Sequence, residues 1–422
     1  MNKKILIVAY YFPPIGGGGA QRPTKFAKYL SRAGWDVTVL TKASIDKENR
    51  WEPEDMSFEQ DLENDGRQIK VFRIPEPAGN ARFFAVDRHQ LWSEDVGTAA
   101  LEILGKDRFD AVLFTMSPFS LALAANKIRE KTSVPVFLDL RDPWVFDGWN
   151  PSKSYFHWSR HFSLMRHSLE NARGVIANTR EAAKVFLKEI PGLKQDDLCV
   201  IENGYDPDDF HTHNFPRNIE ENGVFRIVFS GSLCTPEDFN FLKPRDVLKY
   251  LLRYSYERIV KEGRTLIYLL QALEELKEEG HFLAEKIRIE CLGQETERDR
   301  KTVDMSTVGS AVSFSGYLPH SEAVVKIQSA DCLFLPLHDT AAGERSLIVP
   351  GKTYEYLATG RPILACLPPG DARDMLERYS LGTVTDPLDV QGIKKALKAL
   401  YENKADHQKI GNTDEWISMF DR

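Results

Sequence analysis

Short, almost wholly apolar runs recur along this chain, alternating with segments of helical spacing, and they restrict the fold more than any other feature. In the first half they fall at residues 4–10, 36–41, 71–74, 111–114, 134–138 and 174–177. Runs with no polar alternate suit strands covered on both faces of a parallel sheet. Between them the period changes: Phe26, Ala27, Tyr29 and Leu30 recur at helical spacing within 20–32, and Gly34 stops the pattern. Strand and helix in alternation predict βαβ units and an open, doubly wound α/β sheet.

The alternation then stops and restarts. Residues 203–223, beginning Asn203-Gly204, are turn-rich and polar and read as a linker. Apolar runs return at 225–229, 287–292, 312–314, 331–335 and 362–365. A length of 422 residues also exceeds what one core uses. Two Rossmann-like domains are therefore expected, 1–208 and 223–400, facing each other across a cleft with ligands at the strand carboxyl ends. Residues 401–422 are expected to form a C-terminal helix packing back towards the first domain. One stretch near 235–263 reads as an insertion, with Lys243, Arg245, Lys249, Arg253, Arg258 and Lys261 among Tyr250, Leu251, Leu252, Tyr254 and Tyr256. A membrane-leaning or acceptor-facing helix has this character, but a solvated helix packed by one face is the preferred reading.

Acidic residues outnumber basic ones 62 to 55, a formal charge of -7, which argues against a general nucleic-acid binder. The five cysteines (Cys199, Cys234, Cys291, Cys332 and Cys366) include no close pair, so neither a zinc site nor a disulfide framework is expected. They read as small buried hydrophobes of a reducing compartment. Met1 leads directly into the first strand, and no run approaches the roughly 18 apolar residues that span a bilayer. The expectation is a cytoplasmic protein, with peripheral contact at the inner membrane face left open.

Three segments carry chemistry. Gly16 to Gly19 form a glycine loop between the first strand and helix, where backbone N–H groups meet anions and a substrate approaches the backbone closely. Gly17 and Gly18 are its candidate substrate-binding residues. A nicotinamide site is disfavoured, because Gln21 breaks the GxGxxG spacing and the second strand ends in Lys42 rather than an acid. Asp139, Arg141 and Asp142 follow a strand and precede Pro143, so their charges reach a strand's carboxyl end. Asp142 is the candidate for holding a hydroxyl and Arg141 for contacting substrate, while an Asp139–Arg141 ion pair is the structural alternative. The third segment runs from Pro350 to Gly360, a short helix with Pro350 at its first position and Gly360 past its end. Lys352 and Glu355 share one face, the lysine suited to a diphosphate and the glutamate to ribose hydroxyls, with a Lys352–Glu355 ion pair as the alternative.

Taken together, Tyr10-Tyr11-Phe12-Pro13-Pro14, Gly16 to Gly19, Ala20-Gln21-Arg22, Gly34-Trp35-Asp36, Ile201-Glu202-Asn203-Gly204, Phe229-Ser230-Gly231-Ser232 and the block from Lys352 to Pro362 resemble a bacterial GT-B retaining glycosyltransferase, family 4-like, group 1. The resemblance runs from about residue 3 to about residue 400. It implies transfer of a sugar from a nucleotide-diphosphate donor to an acceptor hydroxyl with retention, without a metal or other cofactor. A glycan or lipid-linked glycan acceptor in surface polysaccharide or glycolipid synthesis is the implied setting. By position, Glu355 matches the second glutamate of the family's Glu-x7-Glu motif. Leu347 stands at the first, with Glu344 and Arg345 the nearby candidates. Ser232, Tyr317 and Leu318 fall on the donor side, the last two in a loop placed to meet the base. The diphosphate-binding Arg and Lys usual after the Gly231-Ser232 strand are replaced by Leu233-Cys234-Thr235-Pro236, which leaves that task to Lys352. The family's histidine near Phe114 gives way to Thr115-Met116-Ser117-Pro118. The alternatives are a non-catalytic nucleotide-sugar or glycan-binding protein, and a nucleotide-sugar epimerase on the same fold.

Overall fold

The computed structural model describes residues 2–43, 45–46, 49, 52–64, 67–79, 85–148, 151–210, 223–235, 247, 251–256, 259–260, 263–380 and 382–403. The chain divides into two compact units, Met1–Glu202 with Asn240–Glu257, and Asn203–Phe239 with Arg258–Arg422.

The first unit is built on seven strands: β1 (Lys4–Ala9), β2 (Asp36–Lys42), β3 (Lys70–Ile74), β4 (Ala111–Met116), β5 (Val136–Leu140), β6 (Gly174–Ala177) and β7 (Leu198–Val200). Their order is β3-β2-β1-β4-β5-β6-β7, every pair parallel. The connections include α1 (Gly18–Arg32), α2 (Gln90–Lys106), α3 (Leu121–Lys131), α4 (Tyr155–Asn171) and α5 (Arg180–Glu189). All six residues of β4 are buried, as a central strand with covered faces requires. The order reverses between β1 and β4, which opens a crevice at their carboxyl ends.

The second unit repeats the plan with β8 (Phe225–Ser230), β9 (Ile287–Leu292), β10 (Val312–Gly316), β11 (Cys332–Pro336), β12 (Ile363–Cys366) and β13 (Gly382–Thr385). They order as β10-β9-β8-β11-β12-β13, again parallel, with the reversal between β8 and β11. The helices are α6 (Ile267–Glu278), α7 (Glu297–Asp304), α8 (His320–Ser329), α9 (Lys352–Thr359), α10 (Asp371–Tyr379) and α11 (Val390–Glu402). Along β8 the side chains alternate between two cores. Phe225, Ile227 and Phe229 join Leu269 and Leu273 of α6 and Leu397 of α11, whereas Val228 joins Tyr354 and Leu357 of α9 and Leu376 of α10. A sheet covered twice asks for apolar residues on both faces, which is why these strands read as nearly continuous runs, with Arg226 in β8 and Arg288 in β9 as exposed exceptions.

Within the two large sheets, β7 and β13 lie outside the sequence expectation. Both are edge strands of three or four residues, and Thr383 and Thr385 in β13 put polar atoms where a central strand would carry hydrocarbon. The α9 helix begins at Lys352, not at Pro350, whose carbonyl accepts from the Thr353 N–H at 2.9 Å. Gly360 closes the helix in the left-handed region at φ 62°, as expected. In the 235–263 stretch, Lys243, Arg245, Lys249, Tyr250, Arg258 and Lys261 lie outside the described residues. Tyr254 pairs through its backbone with Ser152, and Tyr256 donates to Glu189 at 2.7 Å, so this part packs on the first unit, with Leu251 and Leu252 exposed. The helix expected over 401–422 falls almost wholly outside the described residues, and α11 ends at Glu402. The cysteines are all free. Cys291, Cys332 and Cys366 are buried, which pushes each thiol up to about 12, while Cys199 is exposed, contrary to the expectation of a uniformly buried set.

Candidate functional site

In the first unit, the glycine loop leads into α1 with Gly17 at φ 74° as the residue before the helix and Gly18 exposed at its first position. Among the described residues no side chain caps this end, and no acid lies in its first turn. The loop is clamped from two sides. Gly16 N–H donates to the Pro53 carbonyl at 2.7 Å and Asp55 N–H to the Pro14 carbonyl at 2.8 Å. Arg141 donates to the Gly19 carbonyl at 2.7 Å and lies over the Tyr11 ring. Asp142, half-exposed, sits 3.6 Å from the Arg141 guanidinium. Arg141 and Asp142 are thus brought beside the glycine loop, but the Asp139–Arg141 pair is not formed. Asp139 is wholly buried and is gripped by Arg22, whose Nη2 and Nε reach it at 2.6 and 3.0 Å. The Arg22 guanidinium also donates to the carbonyls of Ile201 and Glu202.

Lys42, noted in the sequence only for not being an acid, anchors the same loop from below. Its Nζ lies 2.7 Å from Glu52, 3.0 Å from Glu76 and 2.8 Å from the Tyr10 hydroxyl. His89 pairs with Glu76 at 2.6 Å. Burial alone would raise the Glu76 carboxyl, but the hydrogen bonds from His89 and Lys42 override it and hold it down to about 2. A depressed carboxyl stabilises the fold above its unfolded value near 4.5 and loses that contribution as pH falls towards about 2. Acid unfolding of Glu76→Gln should therefore lose part of its pH dependence between those values, read by chemical melts at stepped pH. A melt whose pH slope is unaltered would contradict the assignment.

In the second unit, three neighbouring strands end in glycines. Gly231, Gly293 and Gly316 follow or close β8, β9 and β10, and their backbones interlock: Gly231 N–H donates to Leu292 and Gly293 N–H to Gly316. Gly293 is at φ 139°, and a Cβ there would collide with the Gly231 carbonyl. Gly293→Ala should cost about 2–4 kcal/mol in a urea melt, and an unchanged midpoint would refute this reading. Gly231, exposed and at φ 108°, has Lys352 directly behind it, the amine 3.0 Å from where a Cβ would stand. Lys352 Nζ is buried with no hydrogen-bond partner among the described residues, and it lies 3.7 Å from the centre of the Phe229 ring. Burial, with the Arg264 charge adding to it, drives its pKa well below the ordinary lysine value.

Glu355 does not pair with Lys352. It is buried one turn further along α9, 2.8 Å from Nε2 of His320, the first residue of α8. The other imidazole nitrogen lies 3.9 Å from Asp209. Tyr356 accepts from the Ser230 N–H at 2.8 Å, locking α9 to the end of β8. Ser232, Tyr317 and Leu318 are half-buried next to these strand ends, Leu318 packing on the core beneath α9. Glu344 is half-buried with its carbonyl accepting from Thr340, whereas Arg345 is exposed and pairs with Asp374 of α10. The structure thus brings Lys352 and Glu355 onto one helix beside Gly231, together with His320 and Arg264, which the sequence reading did not single out, whereas Arg22 and Lys42 were quoted there without these partners. His320 reaches Glu355 across 35 residues and Arg22 reaches Asp139 across 117, separations that no local spacing encodes. Elsewhere, a cavity of about 890 Å3 lined by Lys3, Lys4, Trp35 and Asp36 opens at the amino ends of β1 and β2, the end of a parallel sheet that does not carry ligand sites. Among the described residues, no cluster of three or more His, Cys, Asp or Glu is arranged to hold a metal, and no helix is long and apolar enough to cross a membrane.

Comparison with known proteins places this geometry. Residues 16–209 match Glycosyltransferase Family 4 and residues 257–403 match Glycosyl transferases group 1, between them most of the chain. The protein belongs to the GT-B glycosyltransferases of this family 4, group 1 kind. No curated protein matches it significantly by sequence. Among solved structures it is similar to a sucrose-phosphate synthase from Thermosynechococcus elongatus, with 13% identity, TM-score 0.66 and coverage of 100% of this chain and 95% of that one. It is similar also to an E. coli structure described as trehalose-6-phosphate bound with UDP-2-fluoro glucose (12%, 0.58, 99% and 98%). A third is a putative UDP-N-acetylglucosamine 2-epimerase from Listeria monocytogenes (13%, 0.54, 97% and 91%). These likenesses establish the fold, two Rossmann-like units with parallel sheets of seven and six strands.

Proposed function

We propose that this protein transfers a sugar from a nucleoside-diphosphate sugar to an acceptor hydroxyl, with retention at the anomeric carbon, the second unit holding the donor and the first the acceptor. The observation that carries the donor assignment is Lys352, a buried amine without a partner among the described residues, set behind exposed Gly231 at a strand carboxyl end. A diphosphate laid over Gly231 gives that amine its anion. Glu355, oriented by His320, accepts from the ribose hydroxyls, and the loop at Tyr317 and Leu318 meets the base through its backbone. In the first unit, the open start of α1 at Gly17 and Gly18, with Arg141 and Asp142 beside it, receives the acceptor. A glycan or lipid-linked glycan of a surface polysaccharide or glycolipid suits such a site, and peripheral membrane contact would follow from a lipid-linked one.

The chemistry breaks the bond between the anomeric carbon and the phosphate oxygen and forms the new glycosidic bond on the same face. The acceptor's proton passes to the departing phosphate oxygen. Stabilising that leaving diphosphate is the main electrostatic contribution. No metal or cofactor is assigned a step. Glu355→Ala should raise the donor KM by about ten- to a hundredfold or abolish transfer, the loss of a hydrogen bond between charged and polar groups. Unchanged kinetics would remove Glu355 from the site. Product analysis with and without acceptor tests the reaction class: turnover that needs no acceptor would favour the epimerase reading, and donor binding without turnover across acceptors would favour a non-catalytic one.

A further inference from the structure

The arrangement around Lys352 has a consequence for how a donor binds. An amine removed from water costs least when neutral, unless an anion is supplied. The groups facing Lys352 supply none. Phe229 on β8 offers its ring face, Cys234 and Cys291 offer thiols, and Arg264, from the loop before α6, offers a second positive charge. Glu355 on α9 is the carboxylate that acts on it among the described residues, and that carboxylate is engaged with His320. His338 at the end of β11 is held neutral, its imidazole pushed down to about 3 by burial and by Arg264. The ring face of Phe229 offsets only a fraction of the desolvation.

We propose that Lys352 takes up a proton when the donor diphosphate arrives over Gly231, with Arg264 as the permanently charged member of the pair, so that donor binding and protonation are one coupled event. This rests on the donor reading above. It differs from a preformed cationic site in what it predicts. Each bound diphosphate brings one proton from solution, and affinity weakens as pH rises above the free amine's value, approaching about tenfold per pH unit.

The test is calorimetric titration of the full chain with UDP, GDP and ADP at pH 8, each in two buffers of different ionisation enthalpy. At that pH the nucleotide phosphates, with a second pKa near about 6, and histidine are already deprotonated, so neither contributes appreciably to uptake. The expected result is uptake approaching one proton with the nucleotide that binds, and none in Lys352→Met, where binding weakens. Arg264→Met should weaken binding yet keep the uptake. Binding to the natural chain with no proton exchanged would overturn the coupling and leave the donor site standing. No heat with any of the three nucleotides would overturn both.

Discussion

Lys352→Met should lose about 10²- to 10³-fold in kcat/KM for sugar transfer while melting at the same temperature as the natural chain or higher. The activity loss follows from removing the charge that meets the leaving diphosphate, since a single well-placed electrostatic contact of this kind carries that factor. The stability change has the opposite sign because the free protein gains nothing from the amine. Its Nζ is buried without a hydrogen-bond partner among the described residues, and methionine fills a similar volume without a polar atom. A structural lysine would show the reverse, with a lower melting temperature and activity falling only with the folded fraction. Activity and thermal melts measured on one preparation separate the two.

Arg22→Met should destabilise the first unit by about 3–5 kcal/mol, the largest stability effect expected in this protein. Asp139 is wholly buried, and Arg22 meets it from two nitrogens while also satisfying two carbonyls near the end of that unit. Deleting the arginine strands a buried carboxylate and leaves the Ile201 and Glu202 carbonyls without these donors. The reciprocal change, Asp139→Asn, keeps the shape and one acceptor and should cost less. A double variant, Arg22→Met with Asp139→Leu, should recover part of the loss, because replacing both charges removes the uncompensated one. Denaturant unfolding checks all three. An Arg22→Met loss below about 1 kcal/mol would mean the pair is solvated and the burial argument wrong.

The fold was legible because both sheets are covered on both faces, so their central strands are largely apolar: Ile5 to Ala9, Val112 to Phe114 and Cys332 to Leu335 could be read without knowing their partners. Of the four edge strands, β3 and β10 could be read from their runs, whereas β7 and β13 could not: one side of each has no neighbour, so the apolar requirement lapses, and three or four residues leave little pattern. The site divided in the same way. Gly360 announces itself as the residue past a helix end, and Lys352 and Glu355 because they share one short helix, whereas Gly231 entered only through the resemblance. His320 reaches Glu355 from 35 residues away and Arg22 reaches Asp139 across 117, and no local spacing encodes such pairs. The alternative Asp139–Arg141 and Lys352–Glu355 pairs are not formed, because Asp139 and Glu355 are instead met by Arg22 and His320 from distant elements.

On the function proposed above, the second unit binds a nucleoside diphosphate over Gly231 with Lys352 beneath it. A thermal-shift screen of the full chain against UDP, GDP, ADP, CMP, their common sugar conjugates and NAD tests it most directly. A ligand at 100 times its Kd stabilises by about 2.7 kcal/mol, well within the reach of such a screen. The predicted result is a selective shift with one nucleoside diphosphate and its sugar conjugate, reduced in Lys352→Met. No shift with any nucleotide, or one with NAD alone, would contradict the account.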